Sequence, residues 1–184
     1  MWFEPPEELA GGPVRLRRYR LSDAEALKEA IAASFEHLHG WMPWAKEPPT
    51  DRSVLEYLGP AAERFGGHAN ADYAITLSED GRYVGGCGLM PRVGDGGLEI
   101  GYWVDVRHVG RGIATEAARL LTGAALALDG VTRVEIHCDQ ANVRSAAIPR
   151  RLGFRLDRVE TSDVEAPLEV GRRMVWIAER EPSG

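Results

Sequence analysis

The 184-residue sequence contains no apolar run approaching the roughly 20 residues of a membrane helix, so no membrane association is expected. Its opening, Met-Trp-Phe-Glu-Pro-Pro-Glu-Glu, is acidic and lacks the basic and apolar regions of a secretory leader. Cysteine is scarce: Cys87 and Cys138 are the only two, without Cys-x-x-Cys spacing. That excludes a disulfide-stapled scaffold and suits two separate thiols in a reducing cytoplasm, although a single bond between them stays open. Lysine is nearly absent too, with Lys28 and Lys46 alone among many arginines; nothing functional follows from this. An excess of basic charge is also missing. The net charge of −6 argues against nucleic-acid binding and is compatible with a cationic substrate such as an amine.

What is present fits one α/β domain over residues 1–184. Residues 1–13, with Pro5, Pro6, Gly11, Gly12 and Pro13, read as an extended or poorly ordered lead. A strand is expected over 14–19. Ser22 to Glu25 has capping-box spacing and opens a helix over about 23–34. Phe-Glu-His-Leu-His-Gly-Trp-Met-Pro-Trp follows at 35–44. Its His37 and His39 lack the nearby Cys, Asp or Glu that would complete a metal site, so no metal is expected. Trp41 and Trp44 fit core packing or an apolar substrate wall equally well. A second helix, capped by Thr50 or Asp51, runs to about Phe65. Strands over 71–77 and 83–93 make a hairpin, and a third covers 98–106. After a long helix from Ile113, a strand over 131–138, a helix over 142–152, a strand over 155–159, a polar loop over 161–168 and a strand over 170–178 complete a sheet of mixed direction.

The chain is organised around residues 104–121. A strand end there meets Gly110-Arg-Gly112, and apolar residues then recur at helical spacing. Gly110, Gly112 and Ala114 are small, so a ligand can approach the backbone. The first amides of a helix have no internal partner and suit a phosphate. Arg111 adds a formal charge. A P-loop is excluded because no Gly-Lys-Ser/Thr follows, and a Rossmann loop because Thr115 stands where the third glycine belongs. An ordinary tight strand-to-helix turn also fits the loop taken alone.

Gly-Arg-Gly-Ile-Ala-Thr-Glu-Ala resembles the acyl-CoA loop of the GNAT superfamily of N-acetyltransferases, whose pattern is Gln/Arg-x-x-Gly-x-Gly/Ala. Gly112 and Ala114 match it, and Val109 stands in place of Gln/Arg. A second stretch, Asn142-x-x-Ser145 followed by Leu-Gly-Phe154, resembles the second acyl-CoA motif of the RimJ/RimL branch. The two motifs begin 32 residues apart (142 minus 110), in the required order, with a helix and a strand between them. Pro149 lacks an N–H, so the Ser145 carbonyl loses its usual helical donor.

The resemblance implies a GNAT fold with a splayed pair of parallel strands, here 98–106 and 131–138. It implies acetyl-CoA as cosubstrate, direct transfer to a primary amine, and a possible acceptor in the α-amine of a ribosomal or other protein or in a small amine. A homodimer is plausible by resemblance alone. Backbone groups near Val104 and Val106 would hold the pantetheine, and Val109, Gly110, Arg111, Gly112, Ile113, Ala114 and Thr115 the diphosphate. Asn142 would bind the pantetheine arm and Ser145 would lie near the acetyl sulfur as proton donor. Glu99, sharing a strand face with Trp103, is the candidate base, against a solvated strand carboxylate as the plain alternative. His37, Trp41, Trp44 and Trp103 are expected at the acceptor. A non-catalytic acyl-CoA-binding module remains the rival reading.

Overall fold

The computed structural model describes residues 2–180. Alternating burial along Glu8–Gly11 (β1) and Val14–Arg18 (β2) makes a hairpin across the tight turn at Gly12. The expected loose lead is therefore part of the sheet. Phe3, ahead of β1, is buried and bridges to Gly67.

Ala24–Trp41 (α1) runs seven residues beyond the expected end. It absorbs the aromatic segment, and the His39 imidazole hydrogen-bonds the Ala45 carbonyl at 2.9 Å just past its end. The expected capping box at Ser22 does not form. Instead a 3-10 turn leads in, and the Asp23 carboxylate accepts the Arg20 N–H and a two-pronged bond from Arg17. Although burial opposes ionisation, those bonds hold the Asp23 carboxyl below its ordinary range. Asp51–Glu63 (α2) is capped by Thr50, which accepts the Ser53 N–H.

Ala71–Leu77 (β3), Tyr83–Met90 (β4) and Gly97–Val104 (β5) follow as an antiparallel meander. Ile113–Ala127 (α3), Arg133–Asp139 (β6), Val143–Arg151 (α4), Arg155–Thr161 (β7) and Arg172–Glu179 (β8) complete the chain. The eight strands lie in the order β1-β2-β3-β4-β5-β6-β8-β7, and β5–β6 is the parallel pair. A parallel pair needs a crossover, which α3 provides. α3 and α4 cover one face, burying Leu98, Ile100, Leu121, Val134 and Ile136. α1 and α2 cover β2–β4 on the other face, around Tyr19, Leu27, Val54 and Leu58. Each fully buried aliphatic side chain of these layers stabilises the fold by about 1.5–3 kcal/mol. No described helix is long and apolar enough to cross a membrane.

Asp72 on β3 works against this packing. Burial raises its carboxyl to about 6, against about 3.9 in an unfolded chain. A folded value above the unfolded one means the penalty is absent below about pH 4 and complete once pH has risen through the folded value. Asp72→Asn is therefore expected to be neutral at pH 4 and to stabilise by up to about 3 kcal/mol at pH 8. Urea denaturation at both pH values checks this; an equal effect at both would contradict it.

Candidate active site

The site begins where β5 and β6 part. Their register runs only from Gly97↔Arg133 to Glu99↔Glu135, although both strands continue four residues or more beyond it. Backbone directions in the gap follow from the ladders on either side. The Asp105 N–H bonds Val84 on the β4 side, while the Arg133 N–H bonds the Gly96 carbonyl across to β5. Alternation then aims the N–H and C=O groups of Ile100, Tyr102 and Val104 into the gap from one edge, and those of His137 and Asp139 from the other. Val104 thus lies where expected. Val106 does not: it sits in a 3-10 turn, and its N–H is taken by the buried Ser34 hydroxyl of α1 at 2.9 Å. The same turn is fixed by Asp105, whose carboxylate accepts the Arg107 backbone and guanidinium, which reaches on to Glu29.

At the outer end of the gap, residues 109–115 turn into α3. Gly110 and Gly112 adopt φ of +78° and +76°, the left-handed region open to glycine. The helical ladder starts only with Glu116 N–H to the Gly112 carbonyl, and among the described residues no protein acceptor takes the amides of 109–115. A Cβ added at Gly110 or Gly112 would meet nothing within 4 Å. Unpaired amides at a helix start fit a diphosphate. The Arg111 side chain is exposed and stands apart from the cleft lining, which leaves its backbone amide as its part in the loop.

At the inner end, the Asn142 side chain accepts the Ser145 N–H and opens α4. The Ser145 carbonyl, deprived of a helical donor by Pro149, accepts a hydrogen bond from the Tyr102 phenol at 3.3 Å. The same phenol lies 3.2 Å from Ser145 Oγ. Burial raises Tyr102 well above an ordinary phenol, so it keeps its proton. Tyr102 is the residue that sequence reasoning missed. The available signal was parity, since it faces opposite to Glu99 and Trp103 and so toward α4.

A cleft of roughly 890 Å³ joins these parts. Val109, Gly110, Gly112, Ile113, Ala114, Thr115, Asn142 and Ser145 line it on one side, and His37, Trp41 and Trp103 on the other. Tyr102 and Trp103 are consecutive strand residues on opposite faces, yet both border it, so the cleft passes through the sheet by way of the gap. Burial, with Arg144 across the cleft, lowers the His37 imidazole and keeps it neutral at pH 7. Two expected site residues do not line the cleft. Trp44 is 51% exposed and packs on Trp103 rather than lining the cleft. Glu99 shares the Trp103 face, but it is buried and clamped by Arg92 at 2.6 and 2.7 Å. The loop after β7 ties down the end of α1: the Leu168 N–H donates to the Gly40 carbonyl, and Asp139 accepts from Val170 and Arg172. Its residues do not line the cleft.

A sheet opened at a parallel pair, with unpaired amides at one end of the opening and hydroxyl donors at the other, is the arrangement expected of a GNAT fold. A family model described as "Acetyltransferase (GNAT) domain" matches residues 14–155. The chain belongs to the GNAT acetyltransferase family. It is 32% identical over 143 residues to the protein named "Putative ribosomal N-acetyltransferase YdaF" of Bacillus subtilis (strain 168), covering 77% of each chain. Among solved structures, the microcin C7 self-immunity acetyltransferase MccE in complex with acetyl-CoA and AMP superposes with a TM-score of 0.81 at 18% identity, over 92% of this chain and 93% of that one. RimL, the ribosomal L7/L12 alpha-N-protein acetyltransferase, in complex with coenzyme A, gives 0.80 at 18% identity over 94% and 98%. At these identities the structural likenesses speak for the fold.

Proposed function

We propose that this acetyltransferase moves an acetyl group from acetyl-CoA directly to the α-amine of a protein or peptide. The observation that carries the reading is the cleft through the sheet, which lets a thioester and an amine approach one gap from opposite faces. The amides of 109–115 would hold the diphosphate. The gap edge at Ile100, Tyr102 and Val104 would pair with the pantetheine as a strand does and polarise the carbonyl. When bound, acetyl-CoA supplies an activated acyl carbon and a thiolate leaving group. Tyr102 and Ser145 hold protons where that sulfur would lie. The name borne by YdaF favours a ribosomal acceptor, and an α-amine of pKa near 8 has a useful neutral fraction at pH 7 without strong assistance. A cytoplasmic setting goes with this reading.

The test is amine-dependent release of coenzyme A across a panel of free N-terminal peptides and small amines, beside thermal stabilisation by acetyl-CoA, ATP and NAD. Stabilisation by acetyl-CoA alone, with turnover on an α-amine, is expected. Tight acetyl-CoA binding without turnover on any amine would instead make the chain a non-catalytic acyl-CoA-binding module. Trp41 lines the far side of the cleft, away from the loop. Trp41→Ala is expected to change the ranking of amines by about tenfold in kcat/KM, the worth of an apolar contact, while the acetyl-CoA affinity holds. A change in acetyl-CoA affinity alone would move Trp41 to the cofactor side.

A further inference from the structure

Behind the gap, on the face opposite α3 and α4, β5 and β6 bury a polar cluster that the reading above leaves unused. His137 lies two residues past Glu135, the last β6 residue with a parallel partner, so its backbone borders the gap. Its neighbour Cys138 points to the other face, where the thiol, pushed by burial up to about 11, sits against Ser145. The His137 ring and the Ser145 hydroxyl therefore flank one opening from its two sides.

Nε2 of His137 lies 2.7 Å from Oε2 of Glu135. Burial works against the Glu135 ion, but Arg133 and His137 hold its carboxyl below the ordinary range. A carboxylate only accepts, so Nε2 carries a proton, and in the neutral ring Nδ1 keeps a lone pair. That lone pair is 3.6 Å from Oε2 of Glu99, whose two oxygens already accept from Arg92. Two acceptors cannot bond each other, and no described donor lies between them. A group bearing several N–H bonds satisfies both. It has a way in, because His137 and Arg92 line an open cavity of roughly 350 Å³.

Resting on the acetyl transfer proposed above, we infer that the acceptor's ammonium docks between Glu99 Oε2 and His137 Nδ1, and that His137 removes its proton. Glu99 orients the ammonium, and Glu135 fixes the ring and steadies the imidazolium that forms. The step balances. R–NH3+ gives one proton to Nδ1, and the freed electron pair forms the C–N bond to the acyl carbon. The C–S bond breaks with its electron pair on sulfur. A second nitrogen proton reaches sulfur by way of the Tyr102 and Ser145 hydroxyls, and the His137 proton leaves to water through the cavity. Other charges face the ring from the neighbouring strands: Arg173 of β8 and Glu160 of β7 line the same cavity. Asp157 and Arg158 of β7 pair with each other at the rim.

The full chain, acetyl-CoA and the amine panel test this over pH 5.5–9. His137→Gln keeps a donor for Glu135 and loses the basic lone pair. It is expected to lower kcat/KM for the amine about 100-fold at pH 7, to leave the acetyl-CoA dissociation constant unchanged, and to erase the acid limb of the pH profile, so that rate follows the amine's own ionisation. Glu135→Gln removes a charge that favours the imidazolium, so the acid limb is expected to move to lower pH. His137→Gln within threefold of wild type at every pH overturns the inference. If that variant fails to bind acetyl-CoA, Glu135→Gln decides, and an unmoved limb overturns it. Wild-type protein that binds acetyl-CoA and acetylates no amine overturns the transfer reading itself, and this inference with it.

Discussion

Gly112→Val is expected to raise the acetyl-CoA dissociation constant about 100-fold, a cost of about 2.7 kcal/mol. Gly112 is the N-cap of α3 at φ +76°. A β-branched residue in that conformation is strained by roughly 1–3 kcal/mol. If the backbone turns to relieve the strain, the amides of 112–115 no longer converge, and each hydrogen bond to a charged oxygen is worth about 1.5–3 kcal/mol. No neighbouring atom opposes the added side chain, since an added Cβ at Gly112 meets nothing within 4 Å. The cost in the free protein is therefore backbone strain alone, and the rest of the loss falls on the ligand. Gly123 lies within the same helix, also with open space around it. Gly123→Ala is expected to raise stability by about 0.5–1 kcal/mol and to leave affinity unchanged. Calorimetric titration of both variants separates a loop effect from a general helix effect; equal affinities would remove the diphosphate from this turn.

The second large effect falls on turnover. Tyr102→Phe is expected to lower kcat about 100-fold, the usual contribution of a positioned proton donor, with acetyl-CoA affinity within threefold of wild type. The phenol is held in place by the Ser145 carbonyl and hydroxyl and is kept protonated by burial. Ser145→Ala removes one half of that arrangement and should cost less. The double variant should be little worse than Tyr102→Phe, because groups sharing one hydrogen-bond network are not additive. Steady-state kinetics with a saturating amine give the answer. A Tyr102→Phe enzyme with normal kcat would leave the thiolate's proton to another source.

Much of this was legible in the chain because it is local. The turn at Gly110–Gly112, the Asn142 cap on Ser145 and the carbonyl orphaned by Pro149 each depend on residues within a few positions of one another. The hairpin of β3 and β4 was legible from its turn and the parallel pair from the resemblance, whereas the place of β8 between β6 and β7 was not. What stayed hidden depends on contacts distant in sequence. The partner of the orphaned carbonyl comes from 43 residues away on β5. Val106 loses its free N–H to Ser34, 72 residues away. Glu99 was read correctly as facing with Trp103, but the clamp by Arg92 depends on how the β4–β5 connection folds back. Trp44 lies beyond the end of α1, and only the extra turns of that helix carry it out of the cleft.

The central claim is a diphosphate on the free amides of 109–115 with its thioester in the gap between β5 and β6. A crystal structure of the acetyl-CoA complex tests it most directly. The expected result is phosphate oxygens within hydrogen-bond distance of the Gly110 to Thr115 amides, the pantetheine paired along Tyr102 and Val104, and the sulfur beside Tyr102 and Ser145. Phosphates bound elsewhere, or β5 and β6 paired along their whole length around the bound ligand, would contradict it.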